Sequence, residues 1–101
     1  MLQIVKNFVK EEKLDEYIRI AQEFTNDLNQ LENVIYSKVY VENNFVYIVT
    51  NWNRYDSDIE FEVFMKYKSE MKPLFIANES FFIERNILKK ASKYFTSLII
   101  S

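Results

Sequence analysis

The chain of 101 residues contains no cysteine, no histidine, no glycine and one proline, and each gap removes a class of chemistry. Without cysteine there is neither a disulfide framework nor a thiol nucleophile, a usage compatible with a reducing cytoplasm. Without histidine there is no Ser-His-Asp triad, no Cys-His dyad, no imidazole acid or base near neutral pH, and no imidazole ligand for zinc or haem iron. Without glycine, the Gly-rich phosphate loop and the dinucleotide fingerprint are both excluded. Charge excess of either sign is also missing: the net charge is −2, with Lys and Arg scattered among Asp and Glu, which argues against nucleic acid as a partner. No apolar run approaches the roughly eighteen residues of a membrane helix, and the opening MLQIVKNFVK lacks the apolar core of a signal peptide. The expectation is a cytoplasmic chain with no membrane partner.

What is abundant is aromatic and aliphatic bulk. Aromatic residues make up 17% of the chain, more than a small core easily hides, so some rings should serve an interface or a ligand. The stretch VIYSKVYVENNFVYIVTNW, residues 34–52, organises the rest. Two β-prone runs flank Asn43-Asn44, and asparagine is the best non-glycine residue for the left-handed conformation of a two-residue hairpin turn. That turn pairs Val41 with Val46, Val39 with Ile48, Ser37 with Thr50 and Ile35 with Trp52. Tyr40 meets Tyr47, Lys38 meets Val49 and Tyr36 meets Asn51 on the other, tyrosine-rich face.

Ahead of the hairpin, Leu2 to Val9 reads as a central strand apolar on both faces, with Asn7 a lone amide that needs hydrogen-bond partners if buried. From Glu11 the period becomes helical: Leu14, Tyr17, Ile18, Ala21, Phe24, Thr25, Leu28 and Leu31 form one stripe. Glu11, Glu12, Asp15 and Glu16 complement the helix dipole rather than gather a metal. The helix should end between Asn29 and Asn33, asparagine standing in for the usual C-cap glycine. After the hairpin, Ser57 with Glu60 fits a capping box. The helix it opens, marked by Ile59, Val63, Tyr67 and Leu74, should end near Met71, ahead of Pro73. SFFIERNIL, residues 80–88, reads as the last strand, and residues 91–101 as a helical tail to a domain spanning 1–90. The sequon Asn78-Glu79-Ser80 has no meaning in a cytosolic chain.

Strand, helix, hairpin, helix, strand is the order of an α+β, ferredoxin-like split βαβ fold: an antiparallel sheet with both helices on one face. Four strands with a bare second face would expose more than roughly 600 Å² of apolar surface, which two copies remove by packing face to face. The expectation is a homodimer, a dimeric α+β barrel, with Tyr36, Tyr40 and Tyr47 in or near the contact.

The start QIVKNFVKEEKLDEYIRIAQEF, the hairpin end FVYIVTNW, the capped helix after it and the closing FFIERNIL together resemble the antibiotic biosynthesis monooxygenase superfamily, over about residues 1–90. That resemblance implies a cleft between helices and sheet. It matches Asn7 to the first-strand asparagine of the haem-degrading branch, and Trp52 to the tryptophan ending the third strand. It makes those two the candidate catalytic residues, with Arg85, Ser37 and Thr50 as substrate contacts. Trp52 also fits a ring simply packed beneath a helix. The histidine through which the haem-degrading branch ligates haem is absent here, and ligation through Tyr67 or Met71 is the remaining haem reading. Two other readings stand: a monooxygenase needing no cofactor, in which a small aromatic quinol anion reduces dioxygen itself, or a non-catalytic ligand-binding or structural dimer of the same fold.

Overall fold

The computed structural model describes residues 1–83. Their order is β1 (Leu2–Val9), a 3-10 turn (Glu11–Lys13), α1 (Leu14–Leu28), β2 (Val34–Glu42), β3 (Phe45–Trp52), α2 (Ser57–Met65), α3 (Lys68–Met71), a second 3-10 turn (Lys72–Leu74) and β4 (Phe75–Ile83). The strands form one antiparallel sheet in the order β2-β3-β1-β4, the α+β ferredoxin-like arrangement that the element order implies.

The hairpin turns at Asn43, whose φ of 53° lies in the left-handed region that asparagine tolerates better than other residues with a Cβ. Its register agrees with the sequence reading from Glu42–Phe45 down to Tyr36–Asn51, and then slips. Val34, not Ile35, stands opposite Trp52. The extra residue is a β-bulge, and it decides which side chain goes inside: Val34 is 9% exposed and Ile35 53%.

On α1 the buried residues are Tyr17, Ile20, Ala21, Phe24, Thr25 and Leu28; Ile20 joins the expected stripe, Leu14 and Ile18 are half-buried, and Leu31 packs on the core from beyond the helix end. The helix ends where expected, with Asn29 as its C-cap, but the conformation of that cap differs. Asn29 stays right-handed, with φ −66°, and its amide instead bridges both backbone groups of Ser37: the Ser37 N–H donates to Oδ1 at 2.7 Å and Nδ2 donates to the Ser37 carbonyl at 2.9 Å. β2 is an edge strand among the described residues, so the side chain of this cap residue is spent on closing an open ladder position.

The expected capping box is likewise replaced. Asp56, one residue earlier than Ser57, is the N-cap of α2 and accepts from the N–H groups of Asp58 at 3.0 Å and Ile59 at 3.2 Å. A carboxylate competes well with a hydroxyl for that position, and Glu60 is released to point elsewhere. The helix expected to run to Met71 is broken at Lys66-Tyr67, and Pro73 falls inside the following 3-10 turn. β4 starts at Phe75, well before Ser80, because β1 offers ladder partners as far as Val9, and this pairing overrides the poor strand propensity of Asn78-Glu79. The expected strand end up to Leu88, Arg85 and the tail 91–101 lie outside the described residues.

One sheet face packs under the helices, with Val9, Val46, Ile48 and Trp52 joining Tyr17, Ile20, Phe24 and Leu28 in the main core. The other face is not uniformly bare. Leu2, Ile4 and Val49 are buried there, packed with half-buried Tyr36, Tyr40, Tyr47 and Ile83, while Phe8 is 36% and Phe81 43% exposed.

Candidate active site

Between the helices and the sheet lies a cavity of about 630 Å³, a size that suits a small aromatic molecule. Phe24 and Leu28 of α1, Phe61 and Phe64 of α2, and Val5 and Ile48 of the sheet give it mainly apolar walls. The sheet also contributes a polar floor, because alternate residues of each strand face the helices: Gln3 and Asn7 from β1, Thr50 from β3, Asn78 and Ser80 from β4.

Asn7 is 1% exposed. Its Oδ1 accepts a short hydrogen bond from Asn78 Nδ2, while its own Nδ2 has no acceptor among the described residues. A buried donor left in this way costs about 1–3 kcal/mol, so an amide N–H beside a cavity is a natural contact for a ligand oxygen.

A second set of hydrogen bonds converges on Glu60. Trp52 Nε1 donates to Gln3 Oε1 at 3.0 Å. Because an indole N–H only donates, the Gln3 carbonyl must face it, which turns the Gln3 amide N–H away from the indole, and Gln3 favours the ionised form of Glu60. The Tyr55 hydroxyl donates to Glu60 Oε1 at 2.9 Å. Burial raises the pKa of Glu60 above its ordinary value, with Tyr55 and then Gln3 pulling in the opposite direction. The Tyr55 phenol is pushed up to about 12, by burial first and then by Glu60 and Asp56, and burial also raises Tyr17. The two phenols thus hold their protons more tightly than a free tyrosine, and Glu60 more tightly than a free carboxyl. Lys72 lines the same cavity.

Of the residues singled out from sequence, Asn7 and Thr50 line the cavity. Ser37 sits behind Thr50, the two hydroxyl oxygens 2.8 Å apart. Trp52 is fully buried and touches the site from behind, through its hydrogen bond to Gln3 and its edge-on contact with Tyr55. Arg85 lies outside the described residues. Sequence reasoning passed over Gln3, Tyr55, Glu60, Asn78 and Ser80. The readable signal was Gln3 and Asn7, two amides four residues apart on one face of an otherwise apolar strand. Glu60 and Asn78 had been absorbed by a capping motif and a sequon.

No family model matches the chain, and neither does any curated protein. Solved structures do. A crystal structure named antibiotic biosynthesis monooxygenase aligns with TM-score 0.70 at 16% identity, covering 83% of this chain and 97% of the other. A conserved protein from Methanosarcina mazei Go1 aligns with TM-score 0.67 at 18% identity, covering 82% and 92%. SnoaB, a cofactor-independent oxygenase from Streptomyces nogalater, aligns with TM-score 0.64 at 14% identity, covering 83% and 92%. At these identities the likeness establishes the fold: this chain has the α+β ferredoxin-like fold of the antibiotic biosynthesis monooxygenase proteins.

Proposed function

We propose that the protein is a cofactor-independent monooxygenase of the antibiotic biosynthesis monooxygenase type, acting on a small aromatic quinol. The observation behind this reading is the cavity itself: apolar walls for an aromatic ring, with the Asn7 N–H, unpartnered among the described residues, beside it. The fold shared with SnoaB supports the same reading. In the reaction, an ionised hydroquinone passes one electron to dioxygen, giving semiquinone and superoxide. These join at a ring carbon as a hydroperoxide, and loss of the ring C–H proton with cleavage of the O–O bond releases water and leaves a carbonyl. Hydroquinone plus dioxygen thus becomes hydroxyquinone plus water, with every electron supplied by the substrate. The protein excludes bulk water and stabilises the anions, Asn7 donating to the oxygen-centred charge and Thr50 contacting the substrate.

The active unit in this reading is a cytoplasmic homodimer joined through the sheet face that bears Tyr36, Tyr40 and Tyr47, where Phe8 and Phe81 are exposed. Sedimentation at micromolar concentration should give twice the chain mass, and a monomer would remove that part. Oxygen uptake with a panel of hydroquinones tests the activity. Uptake well above the uncatalysed rate, reduced at least about tenfold by Asn7→Ala, is the expected result. Rates indistinguishable from buffer across the panel refute the activity.

A further inference from the structure

Glu60 is the single carboxylate lining the cavity among the described residues. Three elements hold it in place. It sits in the first turn of α2, whose positive dipole end favours an anion. The Tyr55 hydroxyl, from the loop before that helix, donates to one carboxylate oxygen at 2.9 Å. Gln3 on β1 also favours the carboxylate, its own orientation fixed by the buried Trp52 indole at 3.0 Å. The Tyr55 hydroxyl occupies one of roughly four acceptor sites, so lone pairs remain for a ligand. A purely structural role would be better filled by glutamine, which packs alike and carries no charge to desolvate.

We infer that Glu60 binds the hydroxyl of a phenolic substrate and takes its proton, with Tyr55 and Gln3 as positioning residues and Trp52 acting through Gln3. This rests on the quinol reading above and names its base. In the step, the phenol O–H bond breaks, its electron pair stays on oxygen, and the proton ends on the Glu60 carboxylate. The phenolate formed meets the Asn7 N–H, and Lys72 lines the same cavity. Ionisation is what makes the ring a reductant strong enough for dioxygen, so proton transfer precedes electron transfer. The raised pKa of Glu60 brings it closer to a phenol and makes it the better acceptor. The other titratable groups on the cavity among the described residues are Tyr55, Tyr17 and Lys72.

The test has a binding arm and a kinetic arm. Wild type should bind a hydroquinone about 10- to 100-fold more tightly than its dimethyl ether, followed by quenching of Trp52 fluorescence, and Glu60→Gln should abolish that preference. In oxygen uptake, Glu60→Gln should lower kcat about 100-fold or more, and Glu60→Asp should restore part of it. Tyr55→Phe removes a hydrogen bond that favours the carboxylate, so it should move the acidic limb of the kcat profile to higher pH, an effect that loss of packing alone would not produce. Turnover by Glu60→Gln equal to wild type overturns the proposal and leaves the oxygenase reading intact. Absence of turnover in wild type, with the phenol preference present and Glu60-dependent, overturns the oxygenase reading and the proton transfer while keeping Glu60 as the hydroxyl contact. Absence of both removes Glu60 from the site.

Discussion

Trp52→Phe is the substitution whose cost follows most directly from the structure. The ring is fully buried, stacked edge-on against Tyr55 with centroids 5.1 Å apart, and its N–H satisfies a Gln3 carbonyl that is itself 5% exposed as a residue. Phenylalanine keeps most of the apolar contact but deletes the donor. The orphaned acceptor costs about 1–3 kcal/mol. The missing half of the indole leaves a void worth about 1 kcal/mol, well below the full Trp→Ala loss. A central value of about 3 kcal/mol is a large fraction of the 5–15 kcal/mol typical of a domain, and translates to a fall in Tm of roughly 12–24 °C at this chain length. Urea and thermal denaturation measure it. A fall below about 4 °C would refute the claim that the Trp52–Gln3 hydrogen bond braces the site. The same variant should also free the Gln3 amide to turn and weaken any Glu60-dependent binding.

Glu60→Gln should change the pH dependence of stability in a direction fixed by the sign of the shift. The folded-state pKa lies above the ordinary value, so the native carboxyl holds its proton longer than the unfolded one. Its contribution is complete at low pH and declines as pH rises through the folded pKa. Glu60→Gln should flatten that part of a Tm-against-pH curve, and an unchanged slope would contradict the assignment. Asn29→Ala removes two hydrogen bonds to Ser37 and should cost about 2 kcal/mol in urea titration; a loss near zero would show that water replaces the bridge at no cost. At Asn43, glycine should be tolerated within about 0.5 kcal/mol, whereas valine should cost about 1–2 kcal/mol because φ is positive there. Equal stabilities for the two would contradict the left-handed turn.

The fold was largely legible in the sequence because its strongest signals are local and periodic. The two runs around Asn43-Asn44 fix a hairpin register down to Tyr36 with nothing else in view, and the stripe from Tyr17 to Leu28 marks one helix face. What escaped detection depends on tertiary partners. The bulge at Ile35 reflects the need to bury Val34 beneath α1, and the early start of β4 reflects free pairing positions on β1. Asn29 and Asp56 each had a plausible local use, and competing contacts decided between them. The site was legible only in part for the same reason. Asn7 stood out as an amide in an apolar strand, but Glu60 enters the site only once Asp56 has taken the cap and Tyr55 has folded back onto it. Trp52, the most conspicuous residue of β3, works at one remove.

Reaction with isotopically labelled dioxygen tests the central claim most directly. Purified protein freed of metals, supplied with an accepted hydroquinone and ¹⁸O₂, should yield a product carrying one labelled oxygen, with the second label in water and the rate dependent on intact Asn7. A product labelled only from solvent, or formed equally fast without the protein, would contradict the claim that this cavity conducts the oxygenation.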